Sequence, residues 1–128
     1  MTDNDVEQYL MSKPEAYKGY PFGPEVAVFK VKNKMFATLA EENNEGRMNL
    51  KCEPTEALML RDIFESVIPG YHMNKKHWNT IKLDGSVPDN EIKRMIDNSF
   101  GLVVKSLKKS ERKQLQLHYS EQQLYGPS

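Results

Sequence analysis

The side chains in this sequence best suited to chemistry fall mostly in one stretch. Pro69 to Gly85 reads PGYHMNKKHWNTIKLDG. It holds the only tryptophan, Trp78, two of the three histidines, His72 and His77, and Lys75, Lys76 and Lys82. Metal ligation, nucleophilic catalysis and anion binding could each use such a set. Metal ligation has little else to draw on. His72 and His77 are five apart, His118 is remote, and no carboxylate spacing completes a zinc set. Cys52 is the only cysteine, so a disulfide framework and a Cys-based zinc site are both excluded.

Nucleophilic catalysis fares no better. Cys52 could pair with a histidine as nucleophile and base. In RMNLKC (47–52), however, it shares a strand face with Met48 and Leu50, which makes it a core thiol. GYPFG holds Gly19 and Gly23 but has no strand-turn-helix setting and no trailing Lys-Ser/Thr, so it reads as a rigid turn rather than a phosphate loop. The expectation is a non-enzymatic protein with no catalytic residue, metal or cofactor. Anion binding remains.

An anion site needs its cations gathered on one surface, and strands can do this because successive side chains point to opposite faces. In RMNLKC, Arg47, Asn49 and Lys51 oppose the apolar set. In HWNTIKL (77–83), Trp78, Thr80 and Lys82 oppose Ile81 and Leu83. In VAVFKVK (26–32), Ala27, Phe29 and Val31 face inward, leaving Val28, Lys30 and Lys32 outside. The candidate nucleic-acid contacts are therefore Lys30, Arg47, Lys51, Lys75, Lys76, His77, Trp78 and Lys82. Lysines would neutralise phosphates and Trp78 would stack. Outward lysines also discourage edge pairing in any sheet, so the aromatic in their midst is what favours binding.

The elements around these strands suggest one α+β domain. A capped helix is expected over residues 3–12, with Val6, Tyr9 and Leu10 on one face. A Pro- and Gly-rich loop follows, whose Tyr17, Tyr20 and Phe22 should pack onto the domain. Strand-like runs at 26–32, 34–41 and 47–52 form a meander. A second helix covers 54–66 and a strand covers 77–85. Ser86 and Asp89 have capping-box spacing for a helix that Gly101 should break near 98–101. The order is α-β-β-β-α-β-α-α, an antiparallel sheet with helices on one face and the other face open. The domain is expected to span 1–113, with 114–128 a polar, partly disordered tail.

The 128 residues carry 18 basic and 18 acidic side chains, so any anion site must be local. No stretch has the roughly 20 apolar residues of a membrane helix and no signal peptide is evident, so a cytoplasmic, non-membrane protein is expected.

The segments KPEAYKGYPFGPEVAVFKVKNKMFATL, RMNLKCEP, PGYHMNKKHWNTIKLDG and IDNSFGLVVKSLKK resemble the MmcQ/YjbR family, over about residues 5–110. The resemblance implies a CyaY-like, that is frataxin-like, fold. Members are commonly described as DNA-binding proteins from likeness to a double-wing arrangement, so DNA is the partner it implies. Frataxins also use an acidic helix for iron and a Trp-bearing sheet face for a protein, which makes a protein partner at the Trp78 face the alternative. The tail beyond Lys113 exceeds the family core. Finally, protonation of His72 and His77 in mild acid is expected to strengthen the basic patch.

Overall fold

The structure, a computed structural model, describes residues 1–70 and 73–126. Helix α1 (Asp3–Met11) opens with a capping box, in which the Thr2 hydroxyl accepts from the Asp5 N–H and the Asp5 carboxylate accepts from the Thr2 N–H. The strands are β1 (Tyr17–Gly19), β2 (Val26–Val31), β3 (Lys34–Glu42) and β4 (Glu45–Lys51), then β5 (Val67–Pro69) and β6 (Trp78–Lys82) after helix α2 (Pro54–Ile63). Helices α3 (Asp89–Ser106), α4 (Lys109–His118) and α5 (Glu121–Tyr125) complete the chain. The six strands form one antiparallel sheet in the order β1-β2-β3-β4-β6-β5. This is the expected α+β architecture.

Two tight turns fix the meander. Lys32 and Asn33 join β2 to β3, and Asn43 and Asn44 join β3 to β4, all four with positive φ. Two-residue hairpin turns need that conformation because its twist matches the strands. A register shift between Phe29 and Lys30 marks a bulge, and both Phe36 and Ala37 enter the core opposite it. The buried apolar residues of all five helices join one cluster with Ala27, Phe29, Ala37, Met48, Leu50 and Ile81. The helices therefore share one face of the sheet. Among the described residues, no helix is long and apolar enough to cross a membrane.

Several expectations are corrected. β1 lies inside the expected loop, and Tyr17, Tyr20 and Phe22 are exposed, Phe22 at 71%, rather than packed onto the domain. Helix α2 stops at Ile63, because Phe64 turns to extended backbone and leads into β5. Helix α3 runs unbroken through Gly101, where an added Cβ would stand 3.3 Å from the Tyr125 Cα. Glycine here costs about 1 kcal/mol of helix propensity, but it admits α5 close against α3. The cap before α3 is Pro88 with no side-chain bond, and Ser86 donates to Asp84 instead.

The region expected to be a polar tail is helical. Leu115 and Leu124, at 0% and 1% exposure, belong to the core, each with roughly 2 kcal/mol of burial to gain. Residues 127–128 lie outside the description.

Candidate nucleic-acid interface

Strand pairing locates the five candidates that lie on strands on the open face, because directly paired residues point the same way. Lys51 pairs with Trp78, Asn49 with Thr80, and Arg47 with Lys82. Lys30 pairs with Tyr17 on one side and Met35 on the other. The expected alternation thus holds: Trp78, Lys51, Lys82, Arg47 and Lys30 all lie opposite the helices. Lys32 does not belong with them. It sits in the β2–β3 turn, where its Nζ bonds Glu15 at 3.0 Å and Gln114 at 2.6 Å.

The face is divided along the strands by a buried polar ladder. The Thr80 hydroxyl donates to the Asn49 Oδ1, and the Asn49 amide donates to the Thr38 hydroxyl at 2.9 Å. Thr38 and Thr80 are buried. Lys30, Lys51 and Trp78 lie on one side of this ladder, with the β5–β6 loop that carries Lys75, Lys76 and His77. Arg47 and Lys82 lie on the other. Trp78 and Lys82 are four residues apart on one strand, a rise of about 13 Å. The eight expected contacts are therefore not one patch.

Charge separates the two ends further. Arg47 faces the Glu42 and Glu45 carboxylates at 3.6 and 3.9 Å, and these flank the β3–β4 turn. Asp3, Glu7, Glu25 and Glu41 line a shallow concavity at the same end. Asp84 follows Lys82 there. Hydrogen bonds from Ser66 and Ser86 hold its carboxyl well below the usual range, at about 2, so it stays ionised. At the other end, among the described residues, Lys30, Lys51, Lys75 and Lys76 have no carboxylate partner. The acids nearest there are engaged: Glu15 with Lys32, Glu53 capping α2 and Glu56 with Arg94. β3 spans the separation, from Lys34 to Glu42, about 27 Å for nine residues. A net charge of zero conceals a molecule with a basic and an acidic end.

The loop at the basic end is held by Arg61, which sequence reasoning missed. From α2 its Nε donates to the Asn79 Oδ1 at 2.7 Å, and its Nη2 donates to the Lys75 and Trp78 carbonyls. Asn79 is buried, and its amide also reaches the Ala57 carbonyl at 3.4 Å. The fork geometry of a guanidinium suits this multiple clamp, and a lysine's point charge does not. The only hint in the sequence is a basic residue beside the apolar stripe of α2, which reads equally as solvated surface. His77 is half-buried, donates its N–H to the Asn74 carbonyl at 3.1 Å and accepts from the Cys52 N–H at 2.7 Å. His72, the other half of the expected acid switch, lies outside the described residues.

Ser99 of α3 completes the support. Its hydroxyl donates to the Phe36 carbonyl at 2.6 Å and accepts the Lys51 N–H at 2.9 Å, bridging β3 and β4 just beyond their last directly paired residues, Ala37 and Leu50. Cys52, the next residue, lies in the core. Burial pushes its thiol up to about 11, far from the lowered values of reactive cysteines. Among the described residues no group of three or more His, Cys, Asp or Glu could hold a metal.

The YjbR family model matches residues 11–102. The Escherichia coli K12 protein described as uncharacterized protein YjbR is 36% identical over 115 residues, covering 90% of this chain and 98% of its own. The Bacillus subtilis uncharacterized protein YyaQ is 46% identical over 55 residues, 43% of this chain and 46% of its own. A crystal structure of a Deinococcus radiodurans protein with a DUF419 domain superposes with a TM-score of 0.83 at 36% identity, covering 90% of this chain and 88% of that one. A Pseudomonas syringae crystal structure gives 0.72 at 28% identity, covering 80% and 98%. The extent of these matches establishes that the chain belongs to the YjbR family.

Proposed function

We propose that the protein is a non-enzymatic nucleic-acid-binding module that uses the basic end of its sheet. The observation that carries this reading is Trp78 beside Lys51, next to a loop exposing Lys75 and Lys76, with no carboxylate pairing these cations among the described residues. Lysine ammonium groups there neutralise phosphates, and the half-buried indole offers a stacking edge worth roughly 1–3 kcal/mol per base. Arg47 takes no part, since Glu42 and Glu45 pair with it, and Lys82 takes none because it lies at the acidic end, lining a concavity with Glu65 and Asp84. With the four lysines Lys30, Lys51, Lys75 and Lys76, affinity is modest and strongly dependent on salt. Titrating labelled DNA at low and moderate salt tests this. Binding that weakens steeply with salt supports it; no binding at low salt, or binding indifferent to salt, rejects it.

A second reading, a protein partner, has its own observation. Leu58, Met59 and Ile63 stand 64%, 57% and 63% exposed on α2, the helix whose Arg61 holds the same loop. A protein hot spot there falls chiefly with Trp78→Ala or Ile63→Ala, whereas phosphate binding falls with Lys75→Gln and Lys76→Gln.

A further inference from the structure

The basic end does not stop at the sheet. α3 starts at the acidic end and runs back, so that its last residue, Ser106, accepts from the Lys34 Nζ at 3.0 Å through its carbonyl. The chain then turns into α4, and this corner reads KSLKKSERK from Lys105 to Lys113. Lys105, Lys108, Lys109 and Lys113 are exposed, and Arg112 is half-buried. Among the described residues Arg112 donates only to the Lys105 carbonyl, at 3.2 Å, and the Lys105 Nζ lies 5.3 Å from the Tyr125 ring centroid. Among the described residues none of these five cations has a carboxylate partner; Glu111 is the one acid in the segment. Beside the corner an open cleft of about 1000 Å³ is lined by Lys105, Arg112, Gln116 and Tyr125, with Glu121 the lone carboxylate among its described lining residues.

Solvated lysines on a helix are ordinary. Five cations within nine residues without a carboxylate partner among the described residues, tied to the β2–β3 turn by the Lys34–Ser106 bond, form a basic surface together with that end of the sheet. That surface has two strips. One is the Trp78 loop, at β6. The other is the corner, anchored at the β2–β3 turn. β3 and β6 are separated by β4, and the corner belongs to the helix side of the sheet while Trp78 faces away from it, so the strips stand apart by at least two strand spacings, about 10 Å, and by the thickness of the sheet. A flexible single strand has one backbone and is satisfied by one strip. A duplex presents two backbones across a groove roughly 6–12 Å wide.

We infer that the α3–α4 corner is a second phosphate-binding strip, and that the partner is double-stranded nucleic acid with one backbone on each strip. This rests on the proposed nucleic-acid reading. The test is fluorescence anisotropy with a labelled duplex of about 20 base pairs and its single strand, at about 50 and 200 mM salt. The parent is compared with a corner variant (Lys108→Gln, Lys109→Gln, Lys113→Gln) and a loop variant (Lys75→Gln, Lys76→Gln). All five side chains are exposed, so both variants fold. The corner variant is expected to lose about tenfold or more in duplex affinity and to lower the salt slope by about 2–3, while single-strand affinity changes less than about twofold. Unchanged duplex affinity in the corner variant, with loss in the loop variant, overturns the second strip and leaves the proposed function standing. Equal losses for duplex and single strand overturn the two-backbone assignment. Failure of the parent to bind either probe overturns the proposed function itself.

Discussion

Removing the Arg61 side chain isolates the device that holds the candidate loop. In Arg61→Ala three acceptors lose a donor, with unequal consequences. The Trp78 carbonyl still accepts from the Gly70 N–H at 2.9 Å. Lys75 is exposed, so water replaces the guanidinium at its carbonyl. The Asn79 Oδ1 is in a residue only 2% exposed and is left without a donor among the described residues. An orphaned buried acceptor costs about 1–3 kcal/mol, so a loss of about 2 kcal/mol is expected. Urea unfolding of Arg61→Ala, Asn79→Leu and the double variant separates this from a general loss of packing. In the Asn79→Leu background there is no acceptor to orphan, and the further cost of Arg61→Ala should fall below about 1 kcal/mol. A cost under about 0.5 kcal/mol in the parent, or the same cost in both backgrounds, refutes the orphaned-acceptor argument.

Other consequences are equally direct. Ser99→Ala leaves the Lys51 N–H and the Phe36 carbonyl unpaired, so it should cost about 1–3 kcal/mol and speed hydrogen exchange at the Lys51 amide. Gly101→Val forces α5 away from α3, exposing Leu124; limited proteolysis should then cut near 119–125 in a variant whose sheet remains folded. Because the Asp84 carboxyl is held at about 2, below the usual ~3.9, its stabilisation is complete above about pH 4 and fades as pH falls towards 2; Asp84→Asn should flatten stability across that window in acid unfolding.

The sequence made the faces of the strands legible and left their ends obscure. Alternation within RMNLKC and HWNTIKL decides which side chains face the core, and it needs no knowledge of neighbours. Whether Lys51 lies beside Trp78 or beside Lys82 depends on register, which tertiary pairing sets. The expected patch therefore mixed Lys51 and Trp78 with Lys82 and with Arg47, which Glu42 and Glu45 beside the β3–β4 turn accompany. β1 and β5 escaped because three residues are too few to show alternation. Gly101 was read through helix propensity, when the packing of α5 decides its role. The segment 114–128 looked polar because Leu115 and Leu124 are nine apart in a glutamine-rich stretch. Their burial becomes evident only once α5 is seen to return to α3. Arg61 illustrates the same limit, since its partners lie 14 to 18 residues away.

The central claim is that one end of the sheet meets a polyanion and the other does not. Backbone amide and indole NMR shifts, followed while a DNA duplex is added at low salt, test it residue by residue. The account predicts saturable shifts at Lys30, Lys51, Lys75, Lys76 and the Trp78 indole, with Glu42, Glu45, Arg47 and Lys82 unmoved. Shifts centred on Arg47 and Lys82, or spread evenly over both ends, would contradict it.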